Sequence, residues 1–588
     1  MTRFLGRPLA WLACLALSLA ACSTDPLSPG APADLILHHG KVWTADPAQP
    51  IAEAVAVRGD RIVKVGSDAD VLALAGPSTR KIDLAGRFVA PGFNDAHTHL
   101  ESAADWFFQV RLIDVNDQAT LNQRLRDVVA RTPKGIWITG GDWGDLASAA
   151  PGPKAVLLEP SLAEIDAISP DHPVLFRRAD RSYFANSRAL QLARIDRNAH
   201  EPRGGRYGRD ANGALNGMLY GSAGEVVVNL MPPVSLEQKV TGLRGVIAQL
   251  NRQGITSVND ISRLQALDDE TLQPVFIERF FSDARIFQTL KDRGQLSLRV
   301  YAFMPLDNFE GLAKFGIAPN SGDAMLRFGA LKAFIDTTMM LPPKPAFSGG
   351  YTFRFMGEPK FTQRIADGDK AGFDIGIHAV GDAAVQELID AYEAAVAANG
   401  PRDRRDRIIH GMYVAESDFA RAGRLHLIAD VTSDHLLFNA KAAEQALDAQ
   451  RAGNAFAWRK MIDNGIRINL VSDLPGSFNK AVLAETDPLV NMYVAVTRKS
   501  PKEGAVPFHP EQAITVEEAL RAYTINPAFS SREENIKGSI EAGKLADLVV
   551  LTQDILAGDP KALLNAKVAM TVFNGKAIYE APAAATKR

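Results

Sequence analysis

The sequence predicts an α/β fold, a (β/α)8 TIM barrel with a small β-sandwich formed from both chain ends. Three observations carry this. Hairpin signals stand near both termini, apolar strand-like runs alternate with amphipathic helices between them, and candidate metal ligands recur at the period of a barrel unit.

In chain order, an export leader comes first. Arg3 and Arg7 give a positive start, and the 13-residue run Leu9 to Ala21 is apolar apart from Ser18. That is shorter than the ~20 residues a membrane-spanning helix needs. It ends in Leu19-Ala20-Ala21-Cys22, which resembles the lipobox of bacterial lipoproteins, with Cys22 as the acylated residue. Ser23 to Pro32 reads as a tether. The chain is therefore expected to be exported and lipid-anchored to a bacterial membrane, facing the periplasm or the cell exterior.

Ala54–Arg58 and Arg61–Val65 flank Gly59-Asp60, a two-residue hairpin signal, and Met570–Phe573 and Lys576–Tyr579 flank the stronger Asn574-Gly575. Asp547–Leu551 adds a short strand. Neither terminal piece alone supplies enough strands for a stable sheet, so the two are expected to combine into one sandwich. The expected organisation is a signal peptide over 1–21, a tether over 22–33, sandwich over 34–90, a barrel with insertions over 91–534, and sandwich again over 535–588.

In the middle region, Phe373–Ile377 reads as a strand leading into a helix. Asp382 is its expected N-cap, Val385, Leu388, Ile389, Tyr392 and Val396 form its apolar face, and Gly400 ends it. The middle region exceeds the ~250 residues of a minimal barrel, so insertions are expected. Arg203 to Gly224, crowded with Gly and Asn, reads as part of a long inserted loop.

Composition narrows the function. The 588 residues are 46% hydrophobic and 23% charged, with a net charge of −3 and both signs interspersed, which provides no basic footprint for nucleic acid. The only cysteines are Cys14, inside the leader, and Cys22. No thiol is left in the mature body, so any metal site must use His, Asp, Glu or a modified side chain.

Such residues are present in a telling pattern. Pro91-Gly92 and a short strand deliver His97 and His99, whose two-residue spacing points both imidazoles the same way on a strand. His378, His410 and Asp473 each end an apolar run, and lie 32 and then 63 residues apart. A barrel unit is about 31 residues long. One unit and then two separate these groups, and each falls at the carboxyl end of a strand, the face where barrel active sites lie. Lys332 sits within Leu331–Asp336, an otherwise apolar run. A buried ammonium is costly, so the alternatives are pairing with Asp336, escape to the surface, or reaction of the amine with carbon dioxide to form a metal-bridging carbamate.

The order His-x-His, Lys, His, His, Asp resembles the amidohydrolase superfamily, specifically its amidohydrolase-3 (YtcJ-like) branch. The resemblance runs from Asp34 to about Tyr579 and includes Pro91–His99, Trp137–Gly141, Asn186–Leu190, Gly254–Val258, Ile377–Asp382, Ser472–Pro475 and Gly543–Leu551. It implies two divalent metals, usually Zn2+. His97, His99 and Asp473 would hold one, His378 and His410 the other, and carboxylated Lys332 would bridge them. It further implies cleavage of a non-peptide carbon–nitrogen bond by attack of a metal-bound hydroxide, with Asp473 as general acid/base.

The chain departs from the branch pattern at Thr337, which follows Asp336 where Gly is common, and at Ile409 before His410, where Glu is common. It also departs at Asp434-His435, where Gln-Pro is expected, and at Asp180-Arg181-Ser182, where Asp-Gly-His is expected. These changes spare the ligands and alter their surroundings. His435 is expected to contact substrate or to orient a ligand, and Trp106 and Asp336 are further candidate substrate contacts. Asp105–Phe108 and Met339–Pro343 are expected near the active mouth or in a lid, where they would favour an apolar or aromatic acyl group. The expected partner is a small-molecule substrate; the oligomeric state is not legible. The rival readings are a metal-assisted isomerase, hydratase or C–O hydrolase, and a surface binding lipoprotein with a dead site.

Overall fold

The computed structural model describes residues 31–107, 109–112, 115–143, 158–178, 182–232, 234–261, 284–336, 360–474 and 486–582. Its centre is a run of eight parallel strands, each paired with the next: β1 Phe93–Thr98, β2 Ile255–Ile261, β3 Arg299–Pro305, β4 Leu326–Phe334, β5 Asp374–Ala379, β6 Arg407–His410, β7 Ile428–Thr432 and β8 Arg467–Val471. Every residue of β2 and β3 is buried, as expected of parallel strands covered on both faces. The ring meets itself just past β8, where Asp473 N–H donates to the His97 carbonyl and His99 N–H to that of Leu474. The seam of the barrel therefore runs through three of the proposed ligands.

The helices needed below are α1 Leu100–Trp106, α2 Leu236–Arg252, α3 Asp382–Asn399, α4 Glu416–Arg424, α5 Val516–Ala522 and α6 Ile525–Ser530. Helix α2 starts in a capping box, with Ser235 and Gln238 satisfying each other's backbone N–H, and buries Val240, Leu243, Val246, Ile247 and Leu250. Each such side chain stabilises the packing by roughly 1.5–3 kcal/mol. Helix α3 buries Val385, Leu388, Ile389 and Tyr392 and stops at Gly400, which has φ 78°. Its N-cap is Gly381 rather than Asp382. Asp382 is instead the first helical residue, where its charge favours the positive end of the helix dipole.

Both chain ends build two further sheets. In one, Arg61–Gly66, Ala54–Arg58, Ala33–His38 and Ala75–Asp83 lie side by side. In the other, Leu548–Leu551 runs antiparallel to Phe88–Pro91, so strands from opposite ends of the sequence pair directly. Leu35, Val55, Val57 and Val89 share one apolar cluster with Leu548, Val550 and Val572. Asn574 and Gly575 have φ 49° and 72°, the paired positive values a tight hairpin requires. A Cβ on Gly575 would collide with the Gly59 carbonyl oxygen, so the two terminal hairpin turns touch.

Between β1 and β2 the chain inserts a sheet of its own, in the order Gly205–Arg209, Leu215–Gly221, Tyr183–Ala185, Val174–Arg178, Ile138–Trp143, Gln109–Arg111. The segment Arg203 to Gly224 is thus not a loop. It contains an antiparallel hairpin, and its glycines serve close strand approach: a Cβ at Gly217 would meet the Phe184 ring, and one at Gly208 would meet Asn216 and Met218. Among the described residues no helix is long and apolar enough to cross a membrane.

Candidate metal centre

Strand β1 is buried throughout and delivers His97 and His99 to the carboxyl end of the barrel. Their Nε2 atoms stand 3.3 Å apart, and each lies 3.2 Å from Asp473 Oδ1. His99 Nδ1 lies 2.7 Å from the Ile261 carbonyl oxygen. A carbonyl only accepts, so Nδ1 carries the proton and the Nε2 lone pair faces Asp473. Behind them, Asp95 Oδ1 accepts the backbone N–H groups of His97 and Ser472, which fixes β1 against the segment that follows β8. Burial pushes the Asp95 carboxyl up to about 7.

Opposite stand His378, His410 and His435. The His410 ring lies 4.5 Å from His378, 4.9 Å from His435 and 5.2 Å from His97, centroid to centroid. His435 Nε2 is 3.5 Å from Asp473 Oδ2. Two sets of three donors each converge within 4.8 Å: His97, His99, Asp473 and His410, His435, Asp473. His378 adjoins the second set through its ring contact with His410, and lies against Phe334 at 5.0 Å.

His410 and Asp473 take the left-handed backbone conformation, with φ 74° and 56°. In β6 the side chains of Arg407 and Ile409 already point into the barrel. Alternation would turn His410 outward, and the positive φ brings it back over the barrel mouth. Non-glycine residues held there carry strain, which concentrates at functional sites.

Lys332 extends from β4 into the same space. It is 1% exposed, its Nζ has no hydrogen-bond partner among the described residues, and the ammonium lies 4.5 Å from the Phe334 ring centroid. Burial lowers its pKa to about 7, against the opposing pull of Asp473 and Asp430. It neither pairs with Asp336 nor reaches the surface. Burial, and then the nearby Lys332, brings His97 down to about 3. Burial likewise holds His378 and His410 well below the usual histidine range. Burial alone would raise Asp473, but its contacts with His97, His435 and His99 hold it well below the ordinary carboxylate range.

The centre therefore sets an anionic carboxylate at Asp473 beside neutral imidazoles at His97, His378 and His410, the ligand form of each group. Buried donors and acceptors without partners are costly, yet among the described residues His97 Nδ1, His378 Nε2, His410 Nδ1 and Lys332 Nζ all lack one. Sets of three ligand atoms within 4.8 Å of one another fit a divalent cation, and a nitrogen and oxygen set without thiolates suits zinc and its neighbours.

Residues 80–579 match the family model described as the amidohydrolase family. The chain belongs to that family. This amidohydrolase is a metal-dependent hydrolase. It is 30% identical over 565 residues to Protein LONG AFTER FAR-RED 3 of Arabidopsis thaliana, covering 94% of this chain and 92% of that protein. It is 29% identical over 581 residues to the N-substituted formamide deformylase of Arthrobacter pascens, covering 93% and 98%. The crystal structure of an uncharacterized metal-dependent hydrolase from Pyrococcus horikoshii OT3 matches with a TM-score of 0.66 at 20% identity, over 90% of this chain and 99% of that one. That likeness supports the barrel fold.

The expected substrate contacts fare differently. Asp336 is fully buried, and its two carboxylate oxygens accept the N–H groups of Val380 and Gly381, each at 2.9 Å. In this arrangement it anchors the loop after His378. His435 is in the centre itself. The Trp106 side chain, Cys22, Asp180-Arg181 and Met339–Pro343 lie outside the described residues. Phe107, expected near the mouth, packs against α2 at Gly245 and under the Arg131 guanidinium at 5.2 Å.

Sequence reasoning missed a polar layer beneath the ligands. Arg407 donates to Asn259 Oδ1 and the Ser530 carbonyl and pairs with Asp430, which accepts from Asn469. A charged residue in an apolar strand was the signal that drew attention to Lys332, and Arg407 in Arg407-Ile408-Ile409 carries the same signal.

Proposed function

We infer that this amidohydrolase cleaves a non-peptide carbon–nitrogen bond of a small amide-type substrate, using two divalent metal ions and a carboxylated Lys332. The observation that carries this reading is the convergence of His97, His99, His410, His435 and Asp473, with His378 against His410 and the buried amine of Lys332 near enough to be felt by Asp473, His97 and His378. A pKa near 7 leaves much of that amine neutral at physiological pH, the form that reacts with carbon dioxide. The carbamate so formed is an anion able to satisfy two cations at once. Bound divalent cations supply Lewis acidity and a water of lowered pKa. The chain's own part is to hold them with neutral imidazoles, to hold Asp473 ionised, and to pass a proton. Asp473 accepts a proton from the attacking water at a carboxylate oxygen and hands it to the leaving nitrogen. N-substituted formamides are the first substrates to try, given the likeness to a formamide deformylase.

The chain is also proposed to be exported and held at a membrane by lipid on Cys22, on the strength of its leader sequence. Metabolic labelling with a fatty acid, lost in Cys22→Ser, tests that.

The central experiment is metal analysis of purified protein together with turnover across N-acyl amines, formamides and matching esters, for the wild type and Asp473→Asn. The wild type is expected to hold close to two ions per chain and to prefer amides. The variant keeps much of its metal and loses turnover by ~100-fold or more. Undiminished turnover removes Asp473 from proton transfer, and a preference for esters overturns the amide assignment.

A further inference from the structure

The barrel has two ends, and the ligands occupy only one. At the other, where β6, β7 and β8 begin, a cavity of about 680 Å3 opens. Its wall carries Arg402 and Arg404 from the approach to β6, Arg424 from the end of α4, Arg467 from the start of β8, Arg521 from α5, and Phe529 from α6. Apolar surface from Leu425 and Ile466 completes the floor.

The charges in this wall do not balance. Arg402 and Arg404 share the carboxylate of Asp369, at 2.6 and 2.8 Å, and Arg402 also lies 3.5 Å from Asp374, which Arg532 engages at 2.6 Å. The wall's own carboxylates are engaged by arginines from outside it, Asp403 by Arg405 and Arg532 at 3.0 Å and Glu518 by Arg459 at 2.7 Å. Among the described residues, Arg424, Arg467 and Arg521 have no carboxylate within ion-pair distance. Arg467 is held in place by Asn526 Oδ1 at 3.0 Å, and its guanidinium lies 4.0 Å from the centre of the Phe529 ring. Burial, and after it the like charges of Arg405 and Arg521, lowers its pKa. A bound anion would relieve that crowding. Guanidinium groups present planar forks that match carboxylate and phosphate oxygens, and the volume suits a ligand of drug size.

We propose that this cavity is a second ligand site, which binds a small organic anion, a carboxylate or phosphate carried on an apolar body, away from the reaction centre. From Arg467 to Asp473 the chain runs about 20 Å at ~3.3 Å per residue, so no small ligand touches both ends. The proposal is independent of which bond the metal centre cleaves.

Calorimetric titration of the metal-loaded protein with phenyl phosphate and with benzoate tests it, alongside Arg521→Glu and Arg467→Gln. Saturable binding of at least one probe is expected, weakened about tenfold or more in Arg521→Glu, with turnover and melting temperature close to wild type. Arg467→Gln should weaken binding similarly. Should that variant fail to fold, the Arg521→Glu result alone decides. No saturable binding in the millimolar range overturns the proposal. So does binding of equal strength in the wild type and Arg521→Glu, which would place the anion at the metal centre.

Discussion

At the residue scale, the centre depends on how few side chains it needs and how far apart in sequence they lie. The strand endings at His378, His410 and Asp473 were legible because a barrel imposes a period, and the structure places His378 and His410 at the ends of β5 and β6 and Asp473 just past β8. His435 was legible as a candidate substrate contact but not as a metal ligand, since nothing local in Ser433-Asp434-His435 marks a ligand. Its role follows from a left-handed turn at Asp473, a long-range feature that no short motif records. If His435 helps hold a cation, His435→Gln should lower metal affinity by roughly 10–100-fold while leaving the melting temperature of the metal-free protein nearly unchanged. Chelator competition reads the affinity, and an unaltered value would reduce His435 to a wall of the pocket.

At the scale of elements, the strands and helices were mostly recoverable, because alternation and 3.6-residue periodicity are local. The insertion was not. Glycines in Arg203 to Gly224 look like loop residues in sequence, and only the neighbouring strands show that they permit close packing. Two loops that precede or follow strands carry their own tests. Asp336→Asn would set an amide N–H against a backbone N–H at Val380 or Gly381, at a cost of about 1–3 kcal/mol. A lower melting temperature, together with weaker metal retention through the His378 loop, is the expected result. Asp369 is the shared partner of Arg402 and Arg404. Although burial opposes it, hydrogen bonds from Arg404, Asn399 and Arg402 hold its carboxyl below the usual value of 3.8. A depressed folded pKa means that its contribution is present above the unfolded value and is lost as the pH falls through the folded one. Stability curves measured from pH 6 down to 2 should therefore fall less steeply at the acid end in Asp369→Asn than in the wild type.

At the scale of the whole molecule, the barrel and the terminal sheets are joined by a buried ion pair. Arg299, the first residue of β3, is 1% exposed and pairs with Asp547 and with Asn574 Oδ1 of the C-terminal hairpin. Arg299→Met strands Asp547 as a buried charge and should cost roughly 3–5 kcal/mol, whereas Arg299→Met/Asp547→Leu should recover most of that. Thermal or urea unfolding of the three proteins decides it, and equal losses in the single and double variants would deny the pair its role as a joint. The union of the two ends was legible as a count of strands, each end being too small to stand alone. Which strand met which was not, because pairing between Phe88–Pro91 and Leu548–Leu551 depends on three-dimensional closure.

That pairing also has a consequence for biosynthesis. Phe88–Pro91 leaves the ribosome with one side unzipped and must wait for a partner that is translated roughly 450 residues later. Until then its neighbouring apolar face is open to wrong company, and a chain cut short anywhere before Leu548 keeps that exposure for good. Nascent or truncated forms should therefore be the ones that holdase chaperones retain, while the finished polypeptide escapes them.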